Sequence, residues 1–423
     1  MVTRFLTTAT SVWFFLEVVV PLALAVWVLI DVRHSQRRQQ RKLRLQLDGK
    51  WDELDAHFQR ELKSRRLLSY IMRKYVLPGN LQASYALFLY QRGQLETALE
   101  FADRSVALAR KQRVFLKSVF GVQQKILPSA LNSRVLILTG LGRYDDARVA
   151  SAELRNMPSV RNKAQATICL TEVYLGNLDR ALELAYETLA QDPKDGTARV
   201  VASWVFRLKG EFAEAINILV YKPKDVTELY SQKDLDTLLR DRESAKFIAL
   251  QRQHAATIYE PIRLLVMSGV YLDQADYDDA THALDAMQSL LGNNPVIRSN
   301  YERNRAICSA SKGDVRQAEQ HLAEARTIAL NLPKRDTQWE TNISAGRCYL
   351  LLKLTDKASN EFLAAQRRMF HPIEKHMTNY WLARTMEVAK HRAEAIRNYQ
   401  CVVADDIPTV MRQESLDALD RLT

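Results

Sequence analysis

The sequence predicts an all-α chain: a superhelical α-α solenoid preceded by a single N-terminal transmembrane helix. Three observations carry that expectation. A Gly-to-Ala signature returns every 34 to 40 residues, prolines from Pro128 onward return at 30 to 39 after a first gap of 50 from Pro78, and one strongly apolar run lies near the N-terminus. Composition agrees: 13 Gly and 11 Pro in 423 residues leave little material for a turn-rich strand fold. With 47% hydrophobic and 26% charged residues, the chain is neither disordered nor wholly embedded in a membrane.

After a short segment, 1–11, comes the expected membrane helix, 12–30. From Val12 to Ile30, seventeen of nineteen residues are apolar, Glu17 and Pro21 being the exceptions. At about 1.5 Å per residue that run crosses a hydrocarbon core of about 30 Å. Glu17 sits near the outer end, where it reads as an interfacial or neutral carboxyl. Ala23–Ala25 resemble a signal-peptidase site. However, the apolar run continues through Val26–Ile30, and Arg4 alone makes a thin positive n-region, so the segment reads as an uncleaved anchor.

The juxtamembrane segment, 31–47, carries six basic residues and no acidic one between Arg33 and Arg44: Arg33, Arg37, Arg38, Arg41, Lys42 and Arg44. Positive charge following a span places the C-terminal side in the cytoplasm and those side chains at the membrane surface. The net charge of +11 therefore speaks for a membrane surface more than for nucleic acid.

Residues 48–77, beginning "DGKWDELDAHF" at Asp48, read as a degenerate helical unit without the alanine. The solenoid proper follows at 78–407. Its signature is a glycine five residues before an alanine: Gly93/Ala98, Gly142/Ala147, Gly176/Ala181, Gly210/Ala215 and Gly313/Ala318. In "ADYDDATHAL" Ala275 replaces the glycine before Ala280, and weaker copies place the alanine at Ala358 and Ala395. A glycine closes one helix at low steric cost. Two residues later Leu95, Tyr144, Leu178, Phe212 or Tyr277 opens the next, and the alanine lies where that helix crosses its partner. Proline then suits the first turn of the following unit. Pro223 and Pro261 bracket one more unit without the signature, read as a degenerate repeat. Residues 408–423 read as a capping helix.

This Gly-x-aromatic-x-x-Ala pattern resembles the tetratricopeptide repeat family, a 34-residue helix–turn–helix, over about residues 78–407; Asn162–Asp195 matches best. Anchor, basic stretch and array together look like membrane-anchored bacterial members that assist envelope or cofactor biosynthesis. The resemblance implies a groove lined by the first helix of each hairpin. Carried onto this sequence, its larger side chains are Tyr90, Lys163, Tyr174, Trp204, Arg207, Arg303, Arg347, Tyr380 and Arg384, with Glu387 and Asp273 as acidic exceptions. Aromatic and arginine anchors suit an acidic or C-terminal peptide.

No motif points to catalysis. There is no P-loop, GxGxxG or HExxH, and Cys169, Cys308, Cys348 and Cys401 form no metal spacing, reading as helical thiols. "HPIEKH" (His371–His376) and "DQADYDDATHALD" (Asp273–Asp285) read as solvated helix faces or loops. The insertion Arg110–Leu127 has five basic and no acidic residues. It reads first as an extended helix and connection packed on the superhelix, although its composition also suits a helix on an anionic membrane.

The expected protein is thus a non-catalytic scaffold at the inner membrane, its solenoid in the cytoplasm. Its expected partners are other proteins or peptides and the bilayer, with no nucleic acid, cofactor or metal. Two alternatives stand beside it: an accessory or regulatory subunit of an envelope polysaccharide or cofactor biosynthesis complex, and a periplasmic solenoid.

Overall fold

A computed structural model describes residues 41–42, 44–45, 50–63, 79–120, 126–157, 161–191, 195–220, 260–291, 295–331, 335–369 and 371–423. The expected membrane helix, most of the basic segment and most of the Pro223–Pro261 unit lie outside these residues. Among the described residues no helix is long and apolar enough to cross a membrane.

The chain divides into two compact units, Met1–Leu68 with Lys224–Ala256, and Ser69–Pro223 with Thr257–Thr423. In the first, helix α1 (Trp51–Lys63) buries Leu54, His57 and Phe58. Lys42 there pairs with Glu61 at 2.6 Å and lies over the Phe58 ring at 4.6 Å.

The second unit is a series of helical hairpins: α2 (Asn80–Gln91) with α3 (Leu95–Phe120), α4 (Ile126–Gly140) with α5 (Tyr144–Arg155), and α6 (Arg161–Leu175) with α7 (Leu178–Gln191). Then come α8 (Gly196–Lys209) with α9 (Phe212–Asn217), and α10 (260–273) with α11 (Tyr277–Gln288). The series ends with α12 (Pro295–Ser311) and α13 (Val315–Asn331), α14 (Arg335–Leu351) and α15 (Thr355–Gln366), α16 (Pro372–Val388) and α17 (Arg392–Ala404), then a closing helix, α18 (Val410–Leu422). The described residues hold no strand.

The repeat alanines are where the spacing requires them. Ala98, Ala147, Ala181, Ala215, Ala280, Ala318, Ala358 and Ala395 all have 0% exposure. Five residues before each, the backbone is left-handed, whether the residue is glycine (Gly93, Gly142, Gly176, Gly210, Gly313) or not (Ala275, Lys353, Lys390). That geometry closes the first helix of the hairpin. Gly176 N donates to Val173 O and Asn177 N to Glu172 O, each at 2.9 Å, so both otherwise orphaned carbonyls are satisfied. The same crossing logic extends to Gly346 of α14, where a Cβ would lie 2.5 Å from the Phe362 ring of α15.

The array does not remain open. Side chains of α6–α9 share one hydrophobic core with those of α16–α18, including Val173, Ala202, Phe206, Ile373, Tyr399, Ile407 and Met411. A Cβ on Gly176 would sit 2.8 Å from Ile407, and one on Gly210 3.0 Å from Val410. The closing helix therefore caps the last hairpin and also seats against the central repeats.

Candidate functional site

The first helix of each hairpin carries the groove positions, and from α6 through α16 the fold gathers six of the nine expected residues into a chain of contacts. Tyr174 of α6 meets Trp204 of α8 edge-to-face at 5.5 Å. Arg207 lies one turn beyond Trp204. Its Nε donates to Asp273 of α10 at 2.5 Å, and Arg347 of α14 approaches the other carboxylate oxygen at 2.9 Å. Arg347 also lies over the Trp381 ring of α16 at 4.8 Å, and Trp381 packs edge-to-face with Tyr380. The Tyr380 hydroxyl donates to Glu414 of α18 and accepts from Arg384 at 2.8 Å.

Each cation here already has an anionic neighbour. Burial opposes ionisation of Asp273. Arg207 and Arg347 nevertheless overcome that cost and hold its carboxyl below the usual carboxylate range. Two guanidinium groups on one carboxylate leave one formal positive charge, and Arg384 with Glu414 leaves none. Glu387, an expected acidic exception, accepts from Tyr399 at 2.6 Å and from Arg421 at 3.1 Å. A partner approaching this lining competes with contacts the chain makes to itself.

Three expected residues stand apart. Tyr90 packs in the first hairpins, its ring 2.9 Å from where a Gly140 Cβ would be. Arg303 is buried at 4% exposure, donating to Glu340 at 2.6 Å and to the Thr337 carbonyl. The Lys163 side chain lies outside the described residues, as do Arg33, Arg37 and Arg38 of the expected membrane-surface set. Of that set, Arg41 and Arg44 are exposed and Lys42 is the partner of Glu61.

The "HPIEKH" stretch corrects the sequence expectation. His371 and His376 are buried at 1% and 0%, not solvated. His371 caps α16 from the position before Pro372, its N–H donating to Glu374 at 3.2 Å. Its ring lies tilted by 33° against Tyr174, 4.2 Å between centroids, and its Nδ1 bonds the Tyr144 hydroxyl. His376 Nε2 bonds Thr409 Oγ1 at 2.7 Å, just before α18. Helical spacing assigns these histidines to no buried face, because what covers them is a distant part of the chain. Asp273 and Glu387, the two acidic groove positions among basic ones, are the places where a sequence signal for ion pairing was available.

Neither protein-family models nor curated proteins match this sequence. Solved structures do. The APC/C hetero-tetramer Cut9–Hcn1 superposes with a TM-score of 0.50 at 14% identity, over 88% of this chain and 59% of that one. The human IFIT1 dimer with m7Gppp-AAAA gives 0.47 at 13% identity, over 92% and 80%. The fold is of the tetratricopeptide-repeat type. This chain spans 59% of the Cut9–Hcn1 chain it matches, so the likeness concerns architecture.

Proposed function

We propose that this protein is a membrane-tethered, non-catalytic scaffold that positions partner proteins at the inner membrane, its tetratricopeptide-type array in the cytoplasm. The observation that carries the scaffold reading is the aromatic and arginine lining contributed by successive first helices, Tyr174–Trp204 through Arg347–Trp381. Such arrays present extended binding surfaces, and aromatic and arginine side chains make the strongest anchors. The tether rests on the apolar run 12–30, and the orientation on the six basic residues that follow it.

Affinity purification of the full chain from detergent-solubilised membranes tests the reading. Trp204→Ala should weaken capture of a copurifying partner roughly thirtyfold, about 2 kcal/mol, while Arg316→Glu on the exposed face of α13 should not. Circular dichroism first establishes that both variants are folded. Equal capture by both removes this lining from the proposal. Copurification of a biosynthetic enzyme would favour the accessory-subunit alternative. Alkaline phosphatase fused after Thr423 should be inactive; an active fusion would place the array in the periplasm.

A further inference from the structure

Helices α8 and α14 are separated in the chain by the α10–α11 and α12–α13 hairpins, yet Arg207 of one and Arg347 of the other aim their guanidinium groups at a single point. What occupies that point is Asp273, from the last turn of α10. The helix itself does not favour an acid there. A C-terminal turn carries the negative end of the helix dipole, which repels a carboxylate. The two arginines supply what holds Asp273 ionised.

Each arginine, by contrast, has support that does not depend on Asp273. The Arg207 guanidinium lies on the bare backbone of Gly269, where a Cβ would come within 2.8 Å of Nη1. Arg347 lies over the Trp381 ring at 4.8 Å, and its Nη2 donates to the Leu272 carbonyl at 3.3 Å. Without Asp273 both cations would still face the same point, with two formal charges in place of one. The point is reachable from solvent: the side chains of Arg207, Asp273 and Arg347 are 23%, 18% and 12% exposed. Arg207 engages Asp273 through Nε, and its Nη1 and Nη2 have no acceptor among the described residues. A guanidinium carries five N–H donors, so an arriving carboxylate can bind the Nη edge before Asp273 leaves.

We infer that Asp273 is a built-in competitor: it occupies a two-arginine carboxylate site in the groove, and an acidic segment of a partner protein binds by displacing it. The present occupant fixes the chemistry. The site already holds a protein carboxylate, so a second one of the same size fits it unchanged. If the arginine pair is free of Asp273 about a tenth of the time, the partner's apparent affinity falls about tenfold. A partner then wins only by adding contacts beside the charge, and Trp204, one turn from Arg207, and Trp381 under Arg347 offer apolar area there. This inference rests on the proposal that the lining binds partners, and adds how that lining is regulated.

The test titrates fluorescein-labelled hexaglutamate into the full chain in detergent, followed by fluorescence polarisation. Asp273→Asn should tighten binding roughly tenfold, and adding Arg347→Gln to it should abolish the gain. Asp278→Asn, at an exposed position of α11, removes the same charge elsewhere and should change little. Equal gains from Asp273→Asn and Asp278→Asn, no gain from Asp273→Asn, or as large a gain with a hexanucleotide in place of the peptide would overturn the inference. Should Asp273→Asn fail to fold by circular dichroism, hydrogen exchange of the unmodified chain decides. Saturating hexaglutamate should speed exchange across 271–276, the turn that Asp273 anchors, and unchanged exchange there would overturn the inference. Loss of partner capture by Trp204→Ala, with no gain of hexaglutamate binding in Asp273→Asn, strikes the competitor alone. A gain in Asp273→Asn while Trp204→Ala captures partners normally strikes the scaffold lining and leaves the arginine site standing.

Discussion

The imidazole of His371 lies against the phenol ring of Tyr174, 4.2 Å between centroids, although 197 positions separate them in the chain. That ring contact, with the bond from Tyr144, joins the central repeats to the start of α16. His376 performs the corresponding task within the C-terminal part by holding Thr409, the N-cap of α18.

Burial makes this arrangement sensitive to acid. It lowers both histidines to about 4; at His376 Arg412 and Lys375 lower the value further while Asp405 opposes them. An unfolded histidine titrates near 6.5, so between there and 4 the unfolded chain binds protons the folded chain refuses. Stability is therefore full above about pH 7, falls as pH drops from about 6.5 to 4, and then levels, by up to about 3 kcal/mol for each histidine. Urea titrations of the full chain in detergent should show this slope, and His376→Asn should remove about half of it. A flat profile in the parent chain would show that these rings are not held neutral.

Arg207 should matter first to folding. Removing it leaves the partly exposed Asp273 with Arg347 as its remaining partner, so the loss should be that of one charge-assisted hydrogen bond, about 1.5–3 kcal/mol. Arg207→Ala should destabilise strongly, whereas Arg207→Ala combined with Asp273→Ala should recover part of the loss. Additive effects in this double-mutant cycle would mean the two side chains are uncoupled.

Two turn glycines separate backbone strain from crowding. Gly142 and Gly176 have φ values of 71° and 83°, yet a Cβ meets nothing within 4 Å at Gly142 and Ile407 at 2.8 Å at Gly176. Gly142→Ala should cost about 1–2 kcal/mol from left-handed strain alone. Gly176→Ala should cost more and should loosen α16–α18 selectively, read by hydrogen exchange across 371–423. Equal costs would argue against the closing contact.

The repeat alanines admit no larger side chain. Ala181→Leu or Ala215→Leu should overpack a helix crossing and cost about 1–3 kcal/mol, chiefly in neighbouring hairpins. A parent-like melting curve for either variant would mean that its crossing has room to spare.

By itself the sequence determined the local architecture. Glycine, aromatic and alanine at fixed offsets specify a turn, a helix start and a close crossing, all within one hairpin, and the buried alanines follow that register throughout. Even there, Ala275, Lys353 and Lys390 take the left-handed position without glycine, because the surrounding hairpin holds the turn. The groove positions were what the family resemblance implied, and the fold brings six of the nine, Tyr174, Trp204, Arg207, Arg347, Tyr380 and Arg384, into neighbouring contacts. Tertiary structure alone decided their partners. Asp273 joins residues 66 and 74 positions away, and His371 reaches back to Tyr174, contacts between helices far apart in the chain. No local spacing encodes which distant helix covers a given face. The sequence therefore identifies a lining of aromatic and basic side chains, while the closed path of the array determines which of them the protein has already paired with itself.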